Sequence, residues 1–290
     1  MTDLEVGPIL SRNGNELGVV TMLDWRLLVV VAAGLFAQGS LFAQAGGRLV
    51  EVNGFDMYVE ESGAGEPLIL LHAFGGCGEE NWGAFVADLA RHYRVIVPDL
   101  RGHGRSTNPS GEFSHRQSAE DVLALAGSLG IDRFRAMGIS SGGMALLHVA
   151  VNAPERIQSL VLIGTPMEFG EHSRAMIRAS ARSAEMHQLW RPCVSRGEEQ
   201  LAELAEQFLG FADVYDDMNL TLQDLGLVTT PTLIVHGDRD MIFPIEGALA
   251  MYRGIPESTL WIVPVGQHVP IYGPVAPEFL RTALLHLRAN

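Results

Sequence analysis

A glycine-flanked serine near the middle of the chain constrains the fold more than any other feature. Residues 138–142 have the sequence Gly-Ile-Ser-Ser-Gly, with a short apolar run before them and a stretch suited to a helix after them. A serine at a tight strand-to-helix turn has a strained backbone, so the residues two positions before and after it must be small. Gly138 and Gly142 meet this requirement. Such a turn raises the Ser140 hydroxyl above the edge of a sheet, beside the first free N–H groups of the next helix, and predicts a nucleophilic serine.

Apolar runs and helical stretches alternate on both sides of this turn. A continuous apolar run such as residues 67–71 is typical of a parallel strand that is covered on both faces. Similar runs occur at residues 93–98, 131–139, 157–164, 232–236 and 258–263. Near the start, alternating apolar residues around Asn53-Gly54 predict an antiparallel hairpin. The chain is therefore predicted to be an α/β protein with a doubly wound, mostly parallel sheet.

Residues 167–227 interrupt this alternation. The segment is mostly helical in pattern, contains no convincing strand and is far longer than an ordinary connection between strands. We interpret it as an inserted helical cap, and residues 46–166 together with 228–290 as the α/β core.

The first 45 residues are expected to be a signal peptide or an upstream extension. Arg26 precedes an apolar stretch, residues 27–37, whose length suits a signal-peptide core and is short for a membrane span. Met22 is the expected translation start, and an Ala-Gln-Ala sequence predicts cleavage after Ala45. The mature protein is therefore expected to be exported, either periplasmic or secreted, with no stable membrane span. The alternative is a protein anchored in the membrane by the uncleaved apolar segment.

The charge of the chain excludes one class of partner. A formal net charge of −14 argues against a nucleic-acid surface, which needs a basic face. Within the cap, Arg174, Arg178 and Arg182 are spaced four residues apart and share one helical face. This face is expected to be a solvated surface, with attraction of an anionic substrate as the alternative.

The two cysteines, Cys77 and Cys193, are far apart in the sequence and match no C-x-x-C spacing. A disulfide is compatible with an oxidising compartment, but two separate thiols are expected, because nothing in the sequence shows that the cysteines are neighbours. Cys77 is expected to be a small buried residue near a glycine-rich loop. No set of residues has metal-ligand spacing, and neither a metal nor an organic cofactor is expected.

Serine becomes a nucleophile when a histidine accepts its proton and a carboxylate orients that histidine. Enzymes with this kind of turn have the three residues in the order serine, acid, histidine. Ser140, Asp240 and His268 follow that order at the ends of predicted strands. Because the carboxyl ends of such strands lie on one face, the three side chains are expected to meet there. Asp238 is the alternative acid.

Four stretches together resemble the α/β-hydrolase-fold proteins, over roughly residues 49–290. They are residues 72–76 (His-Ala-Phe-Gly-Gly), 99–106 (Asp-Leu-Arg-Gly-His-Gly-Arg-Ser), 138–143, and 237–240 followed by 266–268. The family usually has His-Gly where this chain has His72-Ala73, a difference that bears on the geometry of the loop. His72, His103 and His236 fall in these motifs too, and we interpret them as structural hydrogen-bonding residues because no metal-ligand spacing links them.

The resemblance implies a role for each candidate residue of the active site. Ser140 would be the nucleophile, His268 the general base and then acid, and Asp240 the orienting carboxylate. The backbone N–H groups of Phe74 and Ser141 would form the oxyanion hole. Asp240 is preferred to Asp238 because the family places its acid at the end of this Gly-x-x-Asp sequence.

The expected function is that of a serine hydrolase that cleaves carboxylic esters of small or medium-sized apolar acyl groups through an acyl-enzyme. The expected partner is a small ester-like substrate, and the oligomeric state is left open. The same triad serves lactonases, carbon–carbon bond hydrolases, aminopeptidases and perhydrolases, which are the alternatives. A non-catalytic ligand-binding protein on this fold is a further alternative, which a complete triad disfavours. Serine as nucleophile argues against the dehalogenase and epoxide-hydrolase branches, which the resemblance associates with aspartate at that position.

Overall fold

A computed structural model describes residues 47–289, which are organised around one β-sheet. Within these residues the sheet has eight strands in the order β1-β2-β4-β3-β5-β6-β7-β8. The strands are β1 Arg48–Val52, β2 Phe55–Ser62, β3 Pro67–Leu71, β4 Arg94–Pro98, β5 Phe134–Ile139, β6 Ile157–Ile163, β7 Thr232–Gly237 and β8 Ser258–Val263. Strand β2 is antiparallel to β1 and β4, and the other neighbouring pairs are parallel. The predicted α/β architecture with a mostly parallel sheet is confirmed.

Local chemistry explains two parts of this sheet. The side chains of β3 from Leu68 to Leu71 are fully buried, because helices cover both faces of the strand. Asn53 and Gly54 have φ values of 45° and 79°, the left-handed conformations that a two-residue hairpin turn requires. The hairpin of β1 and β2 is therefore confirmed.

Helices connect the strands and cover both faces of the sheet. They are α1 Gly78–Leu89, α2 His115–Ser128, α3 Ser141–Asn152, α4 Glu171–Ser180, α5 Ala184–Trp190, α6 Glu198–Gly210, α7 Leu222–Leu225, α8 Ile245–Gly254 and α9 Ala276–Ala289. The apolar side chains of α1 and α9 pack in one hydrophobic cluster, and those of α2, α3 and α8 pack in another. The loops at the carboxyl ends of the parallel strands remain free to form a site.

The predicted cap, residues 167–227, lies between β6 and β7. In this range the chain forms α4 to α7 and contributes no strand to the sheet. Buried cap side chains, among them Phe169, Leu204 and Phe211, belong to the same hydrophobic cluster as those of α2 and α3. Cap and sheet therefore share a continuous core, and the boundaries between them stay a prediction.

The arginine face of the cap is not the solvated surface that the sequence predicts, because Arg174 is buried. Arg178 and Arg182 are more exposed and pair with Asp213 and Glu206. The guanidinium of Arg174 donates hydrogen bonds to the backbone carbonyl oxygens of Phe169, Phe211, Ala212 and Val214. The prediction is therefore wrong for Arg174, which fastens α4 to the segment after α6.

The predicted leader, residues 1–45, lies outside the described residues. Between residues 47 and 289, none of the helices combines the length and the apolar character that a membrane span requires. The same part of the chain contains no cluster of histidine, cysteine and carboxylate side chains suited to a metal ion.

Cys77 and Cys193 form a disulfide bond, with their Cα atoms 5.4 Å apart. The expectation of two separate thiols is wrong. Cys77 directly precedes α1, and Cys193 follows α5 in the cap, so the bond links the core to the cap across 116 residues of sequence. Sequence separation carries no information on such a pair, because only the folded cap brings Cys193 back to the start of α1.

We expect Cys193→Ser to lower the free energy of unfolding by about 2–4 kcal/mol, because the unlinked unfolded chain gains conformational freedom. Urea denaturation under non-reducing conditions measures the difference. Dithiothreitol should shift the wild-type protein to the stability of the variant and leave the variant unchanged. A wild-type transition that does not respond to reduction would show that the bond makes no contribution.

The histidines predicted to be structural, His72, His103 and His236, are buried and bonded to the backbone. The Nδ1–H of His103 donates to the carbonyl oxygen of Arg101 at 2.9 Å. Burial and, second, the nearby ring of His72 lower the pKa of His103 from 6.5 to about 3. His103 therefore remains neutral in the folded protein over a pH range in which it is protonated in the unfolded chain.

This difference in the pKa of His103 predicts a pH-dependent stability. Between pH 6.5 and about 3, His103 binds a proton in the unfolded state but not in the folded state. The free energy of unfolding therefore falls as the pH is lowered. From pH 7 to pH 4, the wild-type protein should lose about 3 kcal/mol more stability than His103→Gln. Urea denaturation at the two pH values tests this. An equal loss of stability in the two proteins would contradict the lowered pKa of His103.

Candidate active site

The turn at Ser140 joins β5 to α3 and has a strained backbone. Ser140 has φ 49° and ψ −115°, a conformation that costs a non-glycine residue about 1–3 kcal/mol. A Cβ atom on Gly138 would lie 2.5 Å from the nitrogen of Gly143, and one on Gly142 would lie 2.6 Å from the carbonyl oxygen of Leu71. Glycine is therefore required at both positions by the close approach of α3 to β3 and β5. The predicted strand-to-helix turn is present.

The structure brings the three residues of the predicted triad together. His268 Nε2 lies 3.0 Å from Ser140 Oγ, and His268 Nδ1 lies 2.8 Å from Asp240 Oδ2. Ser140 follows β5, Asp240 follows β7 and His268 follows β8, so all three lie at the carboxyl ends of parallel strands. A carboxylate only accepts hydrogen bonds, so the Nδ1–H of His268 donates to Asp240. In the neutral ring, Nε2 is then free to accept the hydroxyl proton of Ser140.

The environment of Asp240 keeps its side chain ionised. Its other oxygen, Oδ1, accepts hydrogen bonds from the N–H groups of Ile242 at 2.8 Å and Phe243 at 3.0 Å. Burial raises the pKa of the Asp240 carboxyl, but the bond from His268 and these N–H groups outweigh it, and the pKa is lowered. The alternative acid, Asp238, has its carboxylate 3.8 Å from Arg239. The hydrogen bond between His268 and Asp240 therefore favours Asp240 over Asp238 as the acid of the triad.

The predicted oxyanion hole consists of N–H groups from two adjacent segments. Phe74 lies in the loop after β3, and Ser141 is the first residue of α3. Strands β3 and β5 pair in parallel, with Leu71 opposite Gly138. The loop after β3 therefore runs beside the Ser140 turn, and the role of the two N–H groups stays a prediction.

The alanine at position 73 is compatible with this loop. Its N–H donates to Asn81 Oδ1 at 2.8 Å, and its carbonyl oxygen accepts bonds from the His72 side chain at 2.7 Å and the Gly76 N–H at 3.0 Å. Ala73 does not have a positive φ. The loop thus uses the backbone of residue 73 without requiring the conformational freedom of glycine.

Aromatic rings surround Phe74, in the loop after β3, and pack against His268. Phe243 packs against His268 with ring centroids 5.2 Å apart. Phe74 has its ring within 5.8 Å of five others, those of His103, Phe113, Trp190, Phe208 and Phe211. Sequence reasoning did not find this cluster. No local pattern marks it, because its members come from both the core and the cap and only the fold brings them together.

A second group that the sequence did not reveal lies next to the nucleophile. The hydroxyl of Ser141 lies 3.0 Å from His115 Nε2, and His115 Nδ1 lies 2.6 Å from Asp217 Oδ2. His115 begins α2, and Asp217 lies in the cap between α6 and α7. Neither belongs to a glycine-rich motif, so no local pattern marks them. From the sequence, Ser141 was expected to contribute only its backbone N–H.

Comparison with known proteins agrees with this description. Residues 66–192 match the sequence model of a family described as having the α/β hydrolase fold. The 2-hydroxy-6-oxo-2,4-heptadienoate hydrolase of Pseudomonas putida is 30% identical over 243 residues, which cover 74% of this chain and 87% of that protein. The 2-hydroxymuconate semialdehyde hydrolase of Pseudomonas putida is 28% identical over 241 residues, which cover 74% and 85%.

Solved structures give the same result. A thermophilic esterase from Thermogutta terrifontis superimposes with a TM-score of 0.66 at 26% identity, and the match covers 84% of this chain and 99% of that one. The agreement extends through both sequence and fold, and we conclude that this chain belongs to the α/β-hydrolase family.

Proposed function

We propose that this protein is a serine hydrolase that cleaves carboxylic esters of small or medium-sized apolar acyl groups through an acyl-enzyme. One observation carries the proposal. Asp240, His268 and Ser140 are joined by hydrogen bonds of 2.8 and 3.0 Å at a strained strand-to-helix turn. Relatives that are hydrolases support hydrolytic activity for this chain.

The acylation step follows from the positions of these groups. The Ser140 oxygen attacks the ester carbonyl carbon as its proton moves to His268 Nε2. Asp240 stabilises the imidazolium through its bond to Nδ1–H. The negative oxygen of the tetrahedral intermediate accepts bonds from the N–H groups of Phe74 and Ser141, each worth about 3 kcal/mol in comparable sites. Collapse of the intermediate releases the alcohol, which takes the proton from His268.

Deacylation repeats the same chemistry with water. His268 accepts a proton from a water molecule as the water oxygen attacks the acyl carbon on Ser140. The second tetrahedral intermediate uses the same N–H groups. Its collapse releases the carboxylic acid and returns the proton to the Ser140 oxygen, so the enzyme is regenerated unchanged.

The surroundings of the site support an apolar acyl group. The rings that contact Phe74 come from both core and cap, and they form an apolar wall next to the oxyanion loop. Aromatic surfaces favour hydrocarbon because burying it away from water stabilises the complex by about 25 cal/mol per Å².

The charges near this wall do not favour a carboxylate on the substrate. His103, which also contacts Phe74, has its pKa lowered to about 3 and is neutral near pH 7. Arg174, the buried arginine of the cap, already donates to four backbone carbonyl oxygens. A buried substrate carboxylate needs a partner cation, which these two groups do not supply.

Carbon–carbon bond hydrolysis is the second candidate function. The observation that favours it is sequence similarity, because the two relatives from Pseudomonas putida are named for 2-hydroxymuconate semialdehyde and 2-hydroxy-6-oxo-2,4-heptadienoate. The same serine, histidine and aspartate serve both chemistries.

The nucleophile can be identified with a fluorophosphonate probe and mass spectrometry. We expect the label on Ser140 and no label in Ser140→Ala. Asp240→Asn should lower kcat by about 10⁴-fold, because the histidine loses its correct tautomer. Asp238→Asn, the matched control, should stay close to the wild-type kcat. Label on another residue, or equal loss in the two aspartate variants, would contradict the proposed triad.

Substrate comparison separates the two candidate functions. We expect kcat/KM to be higher for p-nitrophenyl butyrate and hexanoate than for a 2-hydroxy-6-oxo-2,4-dienoate. The physical reason is that the aromatic wall binds the acyl chain, whereas neither His103 nor Arg174 supplies a cation for the dienoate carboxylate. The reverse order would favour carbon–carbon bond hydrolysis.

We also propose that the protein is exported. The bond between Cys77 and Cys193 supports this, because disulfides persist in oxidising compartments and are rare in the cytosol. N-terminal sequencing of the protein from its native cell should give a chain that begins at Gly46. An uncleaved N-terminus on cytosolic protein would contradict export.

A further inference from the structure

The hydrogen-bonded chain of Ser141, His115 and Asp217 lies directly beside the nucleophile but is closed to solvent. The exposed fractions are 2% for Ser141, 0% for His115 and 6% for Asp217. The side chain of His268, in the triad, is 22% exposed. The two arrays contain the same types of residue, but only the triad is open to a substrate. The closed array therefore needs a different role.

The proton positions in the closed array follow from Asp217. Its carboxylate accepts the N–H groups of His115 at 3.0 Å and Arg116 at 3.1 Å, in addition to the His115 side chain. Burial raises the pKa of this carboxyl, but the bonds from His115 and Arg116 lower it to about 2. The ionised carboxylate holds the proton of His115 on Nδ1. In the neutral ring, Nε2 then accepts a hydrogen bond from the hydroxyl group of Ser141.

The residue held by this array carries a backbone donor of the proposed oxyanion hole. Ser141 follows the strained Ser140, and its hydroxyl oxygen is only two bonds from its Cα. Fixing that oxygen against His115 restricts rotation of the first turn of α3. The direction of the Ser141 N–H is restricted with it.

The array also connects the nucleophile helix to the cap. His148, on α3, donates its Nε2–H to the carbonyl oxygen of Asp217 at 2.8 Å. Arg116, on α2, donates to the carbonyl oxygen of Asp216 at 2.8 Å. Helix α3 therefore holds Asp217 at two points, through Ser141 and His115 near its start and through His148 two turns later. A shift of the cap would therefore change the direction of the Ser141 N–H.

We propose that His115 and Asp217 are positioning residues, which hold the Ser141 N–H in the direction that stabilises the oxyanion. Because Asp217 belongs to the cap, that direction depends on the position of the cap relative to α3. This inference rests on the proposed hydrolase function, because it assigns a role to the oxyanion hole of the same site.

Stability alone does not account for the array. The ring of His115 lies among Phe113, Phe169 and Phe211, at centroid distances of 5.6, 5.8 and 4.8 Å. An aromatic side chain such as phenylalanine suits that environment without the cost of burying polar groups. Replacing a whole buried pair by apolar groups of similar volume is often neutral or stabilising, whereas removing one partner costs stability but does not by itself change kcat. A purely structural role thus predicts little change in activity on such replacement, whereas a positioning role predicts a loss.

The test is a double-mutant cycle of Ser141→Ala and His115→Phe, measured with p-nitrophenyl butyrate and by the rate of fluorophosphonate labelling of Ser140. Each single variant should lower kcat about 10- to 100-fold, with KM changed less than about threefold, because misplacing an oxyanion donor affects the transition state more than substrate binding. The labelling rate should fall in parallel. The double variant should be no slower than the slower single variant, because both remove the same chain.

A matched control is Ser118→Ala, which removes a buried hydroxyl of α2 that bonds to the carbonyl oxygen of Ser114 at 2.9 Å. It should keep the wild-type kcat. Thermal unfolding shows which variants are folded, and if His115→Phe is not, Ser141→Ala decides the question by itself.

The outcomes separate this inference from the proposed function. A wild-type protein that does not label at Ser140 would overturn both. Wild-type labelling with an unchanged kcat in Ser141→Ala, or additive losses in the double variant, would overturn the positioning role alone. Label on Ser141 would also overturn it, since Ser141 would then be a nucleophile in its own right.

Discussion

The strained backbone of Ser140 is the constraint on which the rest of this structure depends. Its N–H donates to the carbonyl oxygen of Ile163 at 2.8 Å, and its carbonyl oxygen accepts from the N–H of Met144 at 2.9 Å. Strand β6 and helix α3 thus hold the residue from two sides. A backbone conformation of this kind persists only where the surroundings over-determine it. Gly138 and Gly142, which allow α3 to pack closely against β3 and β5, are among the surroundings that hold Ser140 in this conformation.

Two arrays of serine, histidine and aspartate are adjacent at this turn, and solvent access distinguishes them. The triad histidine, His268, is partly exposed, as its proposed role in proton transfer to and from a substrate requires. His115, in the second array, is fully buried and bonded on both ring nitrogens. In the roles we propose, the same types of side chain carry out proton transfer in one array and positioning in the other. Burial, not residue type, decides the difference.

The cap is fastened to the core by covalent, polar and apolar contacts. The Cys77–Cys193 bond joins it to the segment before α1, and Asp217 joins it to α2 and α3. Rings from both parts pack around Phe74, next to the oxyanion loop. The cap therefore contributes rings beside the loop after β3. In the proposed function, contacts between segments distant in sequence would set the size and chemistry of the acyl group.

The sequence by itself determined the features that depend on local backbone geometry and periodicity. These are the parallel strands, the hairpin, the strained serine turn and the positions of Ser140, Asp240 and His268 at strand ends. Each is set by steric rules that act within a few residues, or by the shared direction of parallel strands. Only the tertiary structure decided the disulfide, the burial of Arg174 and the bond from His115 to Asp217. These join segments 37 to 116 residues apart, and no local rule says which distant side chains the packing of the cap brings together.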